Sequence, residues 1–503
     1  MMQSLNIKKR VAAYNLPPTE QLLLDGGDAR IALNSQTGLN KYGCGPLPNP
    51  KLLAFGSSTA STISERAFVA AANLRDRLSE ELSLYSYEEI YERELDRVRS
   101  ELLALCGIDK LSGTEVVIAE SGTDLHALVA KLSRQGNSAD SCIIMMDPDE
   151  TGCGIPVALA KQYPCLAAPL EKETNTQQPI HSVRLRNLDG QPRSRDEVDE
   201  NVETLASDAI RHGQRVLLIQ LDASKTGLLA PSLACIDRLQ QQFADKLDVF
   251  VDACQFRIAP ASLLAYLQRG CMVAITGSKF LAGPSFSGAL LVPKKVSEPL
   301  RSAVISSSRS ATLTQAKPTA QWLATHKSEY LPNLGLLLRW EAALEEFRRF
   351  SIVPENAIVH FLQTFAQALD RCLADDPLFE SLPVLPIERF STVAGKTWDE
   401  VHTIFPFRVF HTPYKLPLNR GQTSWIYRSL LLGSIQMDDA SHCQMGQPVV
   451  CGLRNEIPVS ALRLCLSARQ IVEGTFGDGR HATSVIDKAM EALDKVKWLA
   501  HRV

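Results

Sequence analysis

The sequence has no long apolar run, no excess of charge of one sign and no repeated short cysteine spacings. Its apolar stretches stay short of the about 18 residues that a transmembrane helix needs, and the one near the N-terminus stops at Pro17, too early for a secretory signal. We therefore expect a cytoplasmic protein with no membrane partner. The 53 basic and 56 acidic side chains leave a formal net charge of -3, which offers no strong field to nucleic acid. Small molecules or a second copy of the chain are the expected partners.

The twelve cysteines are scattered between Cys44 and Cys465, without the density of a disulfide scaffold or the spacing of a zinc site. They are interpreted as reduced, mostly buried thiols, and no metal site is predicted. A composition of 45% apolar and 22% charged residues is typical of a folded globular protein and excludes disordered and fibrous classes. For 503 residues we expect one large core plus a smaller unit.

Residues 1–60 are rich in turn-forming residues, as in LPPTE, DGGDAR and YGCGPLPNP, so they are predicted to be an N-terminal arm with no core of its own. YSYEEIYERELDRVRSELLALC then has apolar residues at helical spacing and predicts an amphipathic helix over residues 85–106.

A large α/β domain is predicted over residues 61–320. It contains six short runs that are apolar on both faces and separated by helix-like segments, a pattern that favours a mostly parallel sheet covered on both sides: EVVIAE, SCIIMMD, RVLLIQLD, LDVFVDA, MVAITG and GALLVP. Residues 321–503 are predicted to contain a linker helix in YLPNLGLLLRWEAALEEFRRF, strands in VHTIFPFRVF and ALRLCLS, and a C-terminal helix. This part is interpreted as a smaller α+β domain.

Polar residues follow four of the predicted strands, and ligands of such sheets collect at the carboxyl ends of the strands. These strand ends are Ser121 to Thr123, Asp222 to Gly227, Asp252 to Gln255 and Thr276 to Lys279. Lys279 follows MVAITG, where apolar surroundings can lower the pKa of its ammonium group and make it a carbonyl-trapping amine; a solvated surface lysine is the alternative. In LDVFVDACQFR, the carboxylate of Asp252 could keep a pyridine nitrogen protonated and Gln255 could donate to a phenolic oxygen, two groups that pyridoxal phosphate carries. A helix N-cap is the alternative role for Asp252. Ser121-Gly122-Thr123 stands at a strand-to-helix turn and suits either a phosphate group or ordinary capping.

The order of these motifs resembles that of the fold-type I pyridoxal phosphate (PLP) enzymes, and within them the class V aminotransferase and cysteine desulfurase group, over roughly residues 40–470. The resemblance consists of short motifs: the phosphate turn, VDxxQ, and SK before a Gly/Pro turn. It implies an α/β fold whose large domain has a mostly parallel seven-stranded sheet beside a smaller α+β C-terminal domain, with PLP as the cofactor.

The resemblance also implies roles for particular residues. Lys279 corresponds to the lysine that forms a Schiff base with the cofactor, and Arg463, in ALRLCLSA, to the arginine that binds the substrate carboxylate; a salt-bridged strand arginine is the alternative. RSATLT resembles a motif that contacts the phosphate of the neighbouring subunit in a homodimer, which assigns Thr312. The cofactor-binding residues implied in this way are Ser121, Gly122, Thr123, Ser224, Asp252, Gln255, Thr276, Ser278 and Thr312.

Two positions depart from the family pattern. Many relatives stack a flat side chain on the pyridine ring, whereas Glu150 and Thr151 stand near that point in MMDPDETGCGIP. The residue before the lysine is often His or Gln, and here it is Ser278.

Three functions remain open at this stage. An aminotransferase is preferred, because Lys279 can move the proton without a further catalytic side chain. A cysteine desulfurase or carbon-sulfur lyase is the alternative, with Cys443 of DDASHCQMGQPV as nucleophile in a loop-like stretch and His442 assisting; Cys443 could also be an inert packed thiol. A non-catalytic binding module is the third, although the presence of both Lys279 and Asp252 argues against it.

Overall fold

The structure of the protein is a computed structural model that describes residues 16–134, 141–160, 178–296, 333–389, 397–411, 416–432, 442–476 and 480–503. Within these ranges the chain forms one sheet of seven strands and one of five. In the described part, no helix is both long enough and apolar enough to cross a lipid bilayer.

The seven-stranded sheet has the order β2-β8-β7-β6-β5-β3-β4. Only β8 runs antiparallel to its neighbours, so the predicted mostly parallel sheet is confirmed. Its strands are β2 (Glu115–Ala119), β3 (Ser141–Met146), β4 (Ile180–Val183), β5 (Arg215–Leu221), β6 (Leu247–Asp252), β7 (Met272–Thr276) and β8 (Gly288–Val292). All six apolar runs form strands, and β4 is the seventh.

Helices cover this sheet on both faces, which explains why its strands are apolar throughout. Leu217 and Phe250 pack with Leu125 of the helix after β2, whereas their neighbours Leu218 and Val251 belong to a second apolar cluster on the opposite face. The described helices are α1 (Thr19–Leu22), α2 (Glu65–Glu81), α3 (Tyr87–Leu105), α4 (Gly122–Arg134), α5 (Ile155–Ala160), α6 (Arg195–Arg211), α7 (Leu233–Phe243), α8 (Pro260–Gln268), α9 (Leu334–Ser351), α10 (Glu355–Asp375), α11 (Arg420–Leu432), α12 (Ala468–Thr475) and α13 (Arg480–Ala500).

The five-stranded sheet has the order β1-β11-β12-β10-β9. Its strands are β1 (Leu53–Phe55), β9 (Phe379–Ser381), β10 (Ile404–Val409), β11 (Cys443–Arg454) and β12 (Ile457–Cys465). Residues 1–60 were predicted as an arm without a core of its own, and within them β1 joins the core of this sheet, because Leu53 pairs in parallel with Cys443 and both Leu53 and Phe55 are buried. Three residues give too short a pattern to indicate a strand, and β1 exists only through its pairing with β11.

Helix ends near the sheets have local signals in the sequence. Ser86 and Glu89 form a capping box at the start of α3, in which each side chain accepts a hydrogen bond from the other residue's backbone N–H. Ser467 and Gln470 form the same motif at the start of α12, two residues after β12 ends. The second box fixes the turn that follows the strand carrying Arg463.

A buried polar network joins the two sheets. The guanidinium of Arg389 donates to Asp222, at Nη2–Oδ1 2.5 Å, and Nη1 also contacts Asp399. Tyr266 donates to the other oxygen of Asp222 at 2.9 Å. The side chains of Arg389, Asp222 and Asp399 are at most 1% exposed, so the segment before β10 is held against the end of β5 by charges removed from water.

Candidate active site

A cavity of about 270 Å³ lies at the carboxyl ends of β5, β6 and β7 and the beginning of α4. The sequence-predicted residues that the structure brings together around it are Ser121, Gly122, Thr123, Asp252, Gln255, Thr276, Ser278, Lys279 and Arg463. Residues from five separate elements and loops thus meet in one place, and Lys279 shares the cavity with Asp252.

Asp252 ends β6 with a buried carboxylate. Oδ1 accepts a hydrogen bond from the backbone N–H of Cys254 at 3.1 Å, and Oδ2 lies 3.2 Å from Nε2 of His126. Burial alone would raise the pKa of Asp252, but the charge and contact of His126 and the charge of Lys279 outweigh it, so the pKa falls well below its usual range. Asp252 is therefore kept ionised in the interior.

His126 is a site residue that sequence reasoning missed. It lies on the buried face of α4, is 1% exposed and packs edge-on against Phe250. Nδ1 lies 2.7 Å from the carbonyl oxygen of Gly122. A lone histidine at an apolar helix position gives no signal of this role, because nothing in the sequence places it next to Asp252.

The beginning of α4 presents hydroxyl groups and a cation to the cavity. Arg30 donates to Oγ1 of Thr123 at 3.3 Å and to Oγ of Ser121 at 3.4 Å, and it also pairs with Asp28 at 2.8 Å. The hydroxyl of Ser121 donates to Asp124 at 2.6 Å. Hydroxyls, helix amides and a guanidinium together suit a phosphate group. Arg30 lies in the turn-rich N-terminal segment, where no motif marked it.

Gly122 is required at this turn by its neighbours. A Cβ atom there would lie 2.6 Å from Sγ of Cys254, closer than real Cβ contacts. The absence of a side chain lets the start of α4 approach the end of β6.

Lys279 lies in the loop between β7 and β8 and is partly exposed to the cavity. The loop folds back on itself, because the N–H of Gly283 donates to the carbonyl of Gly277 at 2.9 Å and that of Ala282 to Lys279 at 2.9 Å. Ala282 has φ of 59°, a left-handed conformation that non-glycine residues adopt at a cost. A Cβ at Gly277 or Gly283 would lie 2.6 Å from Ala343 of α9, so the loop is packed tightly against that helix.

Arg463 extends from β12 with a side chain that is almost fully buried. It donates to the carbonyl of Gln447 at 2.7 and 3.0 Å, to that of Lys225 at 3.0 Å and to the hydroxyl of Thr59 at 3.0 Å. Burial lowers its pKa. All of these acceptors are uncharged, so the guanidinium charge is not neutralised by the groups that position it.

Two predicted residues, Ser224 and Cys443, are not part of the cavity lining. The hydroxyl of Ser224 donates to Glu150 at 2.6 Å and is not part of the cavity lining. Cys443 was expected in a loop, but it is the first residue of β11, has no exposed surface, and burial raises the pKa of its thiol to about 12. That placement removes Cys443 from the cavity. Thr312 lies outside the described residues.

Glu150, near the expected stacking position, has a different role. Its carboxylate accepts from Nε of Arg186 at 2.8 Å and from the hydroxyl groups of Ser224 and Thr226. Burial opposes ionisation, but Arg186 and the hydroxyl donors lower the pKa of Glu150. Thr151 donates its hydroxyl to the carbonyl of Asp147 at 3.1 Å, so neither residue offers a flat ring.

Two further cavity residues were missed. Lys225, next to Ser224, donates from Nζ to the carbonyls of Pro148 at 2.9 Å and Asp149 at 3.2 Å, and burial together with the charge of Arg463 lowers its pKa to about 8. Cys153 lines the same cavity and is exposed, whereas most of the described cysteines are buried free thiols, as expected. Lys225 lies in the polar segment Asp222 to Gly227 that follows a predicted strand, but the motif there pointed to Ser224 alone. Cys153 lies in a loop whose path the sequence does not show.

The two-sheet architecture, with a mostly parallel seven-stranded sheet that carries the cavity at its strand ends, is the fold of the fold-type I PLP-dependent enzymes, as the motifs implied. Among solved structures, the chain is similar to the cysteine desulfurase CsdA from Escherichia coli, with TM-score 0.51, 14% identity, and 88% of this chain and 95% of that chain covered. It is also similar to the phosphoserine aminotransferase SerC from Cytophaga hutchinsonii, with TM-score 0.52, 12% identity and coverages of 88% and 99%.

A third similar structure is the tryptophan decarboxylase from Catharanthus roseus, with TM-score 0.51, 14% identity and coverages of 99% and 93%. At these identities the similarity establishes the fold, and the three names describe three different reactions. No family model and no curated protein sequence matches the chain.

Proposed function

We propose that the chain is a PLP-dependent enzyme that acts on an α-amino acid, with transamination as its reaction. The observation that carries the proposal is that Lys279 and Asp252 line one cavity, and that Asp252 is kept ionised by His126. An amine that can bind an aldehyde and a carboxylate that can bind a protonated pyridine nitrogen are the two groups that this cofactor requires.

The other lining residues fit the remaining parts of the cofactor. Ser121 and Thr123, with Arg30 beside them, would hold its phosphate at the start of α4. Gln255 would contact the phenolic oxygen; its Nε2 already donates to the carbonyl of Ser58 at 3.0 Å, which fixes the amide and leaves its second hydrogen available. Asp252 would accept from the ring nitrogen.

When bound, PLP withdraws electrons from the α-carbon of an amino acid and so stabilises the carbanion formed there. The residues of the chain then position the substrate and move its proton. Arg463, fixed by Gln447 and Thr59, would bind the α-carboxylate through its planar guanidinium. Nζ of Lys279 would accept the α-proton and return it at a neighbouring carbon, which is the single proton transfer that distinguishes transamination. A homodimer with Thr312 at the shared site remains part of the proposal.

Covalent trapping tests the cofactor assignment. The purified protein incubated with PLP and reduced with borohydride should carry the pyridoxyl group on the peptide that contains Lys279. Lys225 is the matched control, because it is also a partly buried lysine of this cavity and its pKa is lowered to about 8. Lys279→Ala should abolish the trapped adduct and Lys225→Ala should retain it. A pyridoxyl adduct on Lys225 in the wild-type protein would contradict the proposal. Release of oxo acids from a panel of amino acids tests transamination itself.

A carbon-sulfur lyase is the second candidate, and Cys153 is the observation that favours it. This cysteine is exposed and lines the cavity, where a thiol could attack a substrate sulfur, whereas Cys443 is inaccessible. If cysteine is the substrate, its C–S bond breaks as Cys153 takes up the sulfur as a persulfide, and an added thiol reductant such as dithiothreitol should release that sulfur as sulfide. Cys153→Ala should abolish this sulfide, while Cys443→Ala, which removes the buried thiol, should not. Oxo acid without sulfide would reject this candidate in favour of transamination.

A further inference from the structure

The cavity has a strong excess of positive charge. Its lining contains the lysine and arginine side chains Arg30, Lys41, Lys225, Lys279 and Arg463, against the two carboxylates of Glu150 and Asp252. Lys279, Asp252 and Arg30 have assigned partners in the proposed cofactor. The remaining charges therefore concern the substrate.

Neither carboxylate is available to neutralise a substrate-side cation. Glu150 is paired with Arg186 at 2.8 Å and accepts from Ser224 and Thr226. Asp252 is paired with His126 at 3.2 Å. Both are committed to groups that the chain itself provides.

Lys225 and Arg463 form a pair of adjacent cations. Nη1 of Arg463 donates to the backbone carbonyl of Lys225 at 3.0 Å, and the guanidinium charge lowers the pKa of the Lys225 ammonium. Nζ of Lys225 donates to two neutral carbonyls, of Pro148 and Asp149, which occupy two of its three hydrogens. Nζ of Lys225 keeps one hydrogen for a ligand, and an anionic group bound there relieves the repulsion from the guanidinium and offsets the desolvation of the ammonium.

We propose that the substrate is an α-amino acid whose side chain carries a negative charge, with Arg463 binding its α-carboxylate and Lys225 its side-chain anion. With the α-carboxylate bound by Arg463, the remaining hydrogen of the Lys225 ammonium is available to a second anionic group of the substrate. This inference rests on the proposed function, because it takes Arg463 as the α-carboxylate site.

Binding of non-reacting analogues to the PLP-loaded protein tests the inference without turnover. Succinate and butyrate have the same number of carbons and differ in the second carboxylate. By isothermal titration calorimetry, wild-type protein should bind succinate about 10- to 100-fold more tightly, the range of one charge-assisted hydrogen bond. Lys225→Met should remove this preference and Lys225→Arg should retain it. Equal binding of both acids by the wild type, or an unchanged preference in Lys225→Met, would overturn the inference.

Lys110→Met is the matched control, because it removes the same charge from an exposed position outside the cavity. It should leave the preference for succinate intact; a loss there would show that net charge, rather than Lys225, sets the preference. Aspartate against asparagine and O-phosphoserine against serine then separate a carboxylate from a phosphate side chain. A higher kcat/KM for the anionic member of either pair supports the inference, and a preference for the neutral member of both pairs overturns it.

The succinate-binding test of this inference and the covalent-trapping test of the proposed function can fail independently. A trapped adduct on Lys279 without a preference for succinate would leave the PLP assignment intact and reject the anionic substrate. Absence of the adduct would reject the PLP assignment itself, whatever acid the cavity binds.

Discussion

Asp252 and His126 show how a single buried pair prepares a site before any ligand arrives. Nδ1 of His126 lies 2.7 Å from the carbonyl oxygen of Gly122, and Nε2 lies 3.2 Å from Oδ2 of Asp252, so the ring is held against the carboxylate on the side of α4. This arrangement keeps the carboxylate available as an acceptor for a protonated ring.

Lys225 should make anion binding depend on pH. Its pKa is lowered to about 8, mainly by burial and then by Arg463, while Cys153, Glu150 and Asp149 act in the opposite direction. An anion binds the protonated form and raises the pKa in the complex, so affinity is constant below pH 8 and falls as pH rises through that value.

The succinate dissociation constant measured between pH 6.5 and 9.5 should therefore rise by up to about tenfold per pH unit above pH 8. In Lys225→Arg the guanidinium stays charged, and this rise should disappear. A rise of the same size in Lys225→Arg would mean that another group in the cavity titrates.

The strands of the large sheet could be predicted because their environment is uniform. A strand covered on both faces has apolar residues at successive positions, and each of the six runs from EVVIAE to GALLVP has that pattern. β4 was missed because it is an edge strand in which only Val183 is buried. Its sequence, IHSV, therefore lacks the apolar run.

β11 was missed because its sequence contains residues that usually break strands, and the position of Cys443 was therefore missed as well. Its sequence, CQMGQPVVCGLR, contains Pro and Gly residues that usually break strands, and its pairing with β12 has two irregularities in register. Strand formation there depends on β1 and β12 on either side. The sequence therefore predicted a loop in which Cys443 would be accessible. Its pairing with Leu53 of β1 instead buries it.

The residues that line the cavity show which parts of the site sequence motifs could identify and which they could not. Residues close to a recognisable motif, such as Asp252 and Lys279, could be assigned to one site before the structure was known. Arg30, His126 and Lys225 could not, because their roles arise only from which loops and helices meet at the strand ends. Motif residues that define a reaction type are local in sequence, whereas residues that set charge and specificity here come from distant segments.

The junction between the two sheets should be a principal determinant of stability. Arg389 is 1% exposed and bridges Asp222, at the end of β5, to Asp399, which also accepts from the backbone N–H of Ala259 at 2.7 Å. Arg389→Met leaves two buried carboxylates without a cation, which costs about 3–5 kcal/mol in comparable pairs. The free energy of unfolding in urea should fall by about that amount.

Asp222→Asn added to Arg389→Met should recover part of the loss, because it removes one uncompensated charge and keeps an acceptor for Tyr266. The control is Arg211→Met, which breaks an ion pair with Asp208 where Arg211 is 70% exposed and should cost at most about 1 kcal/mol. An equal effect of Arg389→Met and Arg211→Met would show that the two sheets are held together by their apolar contacts alone.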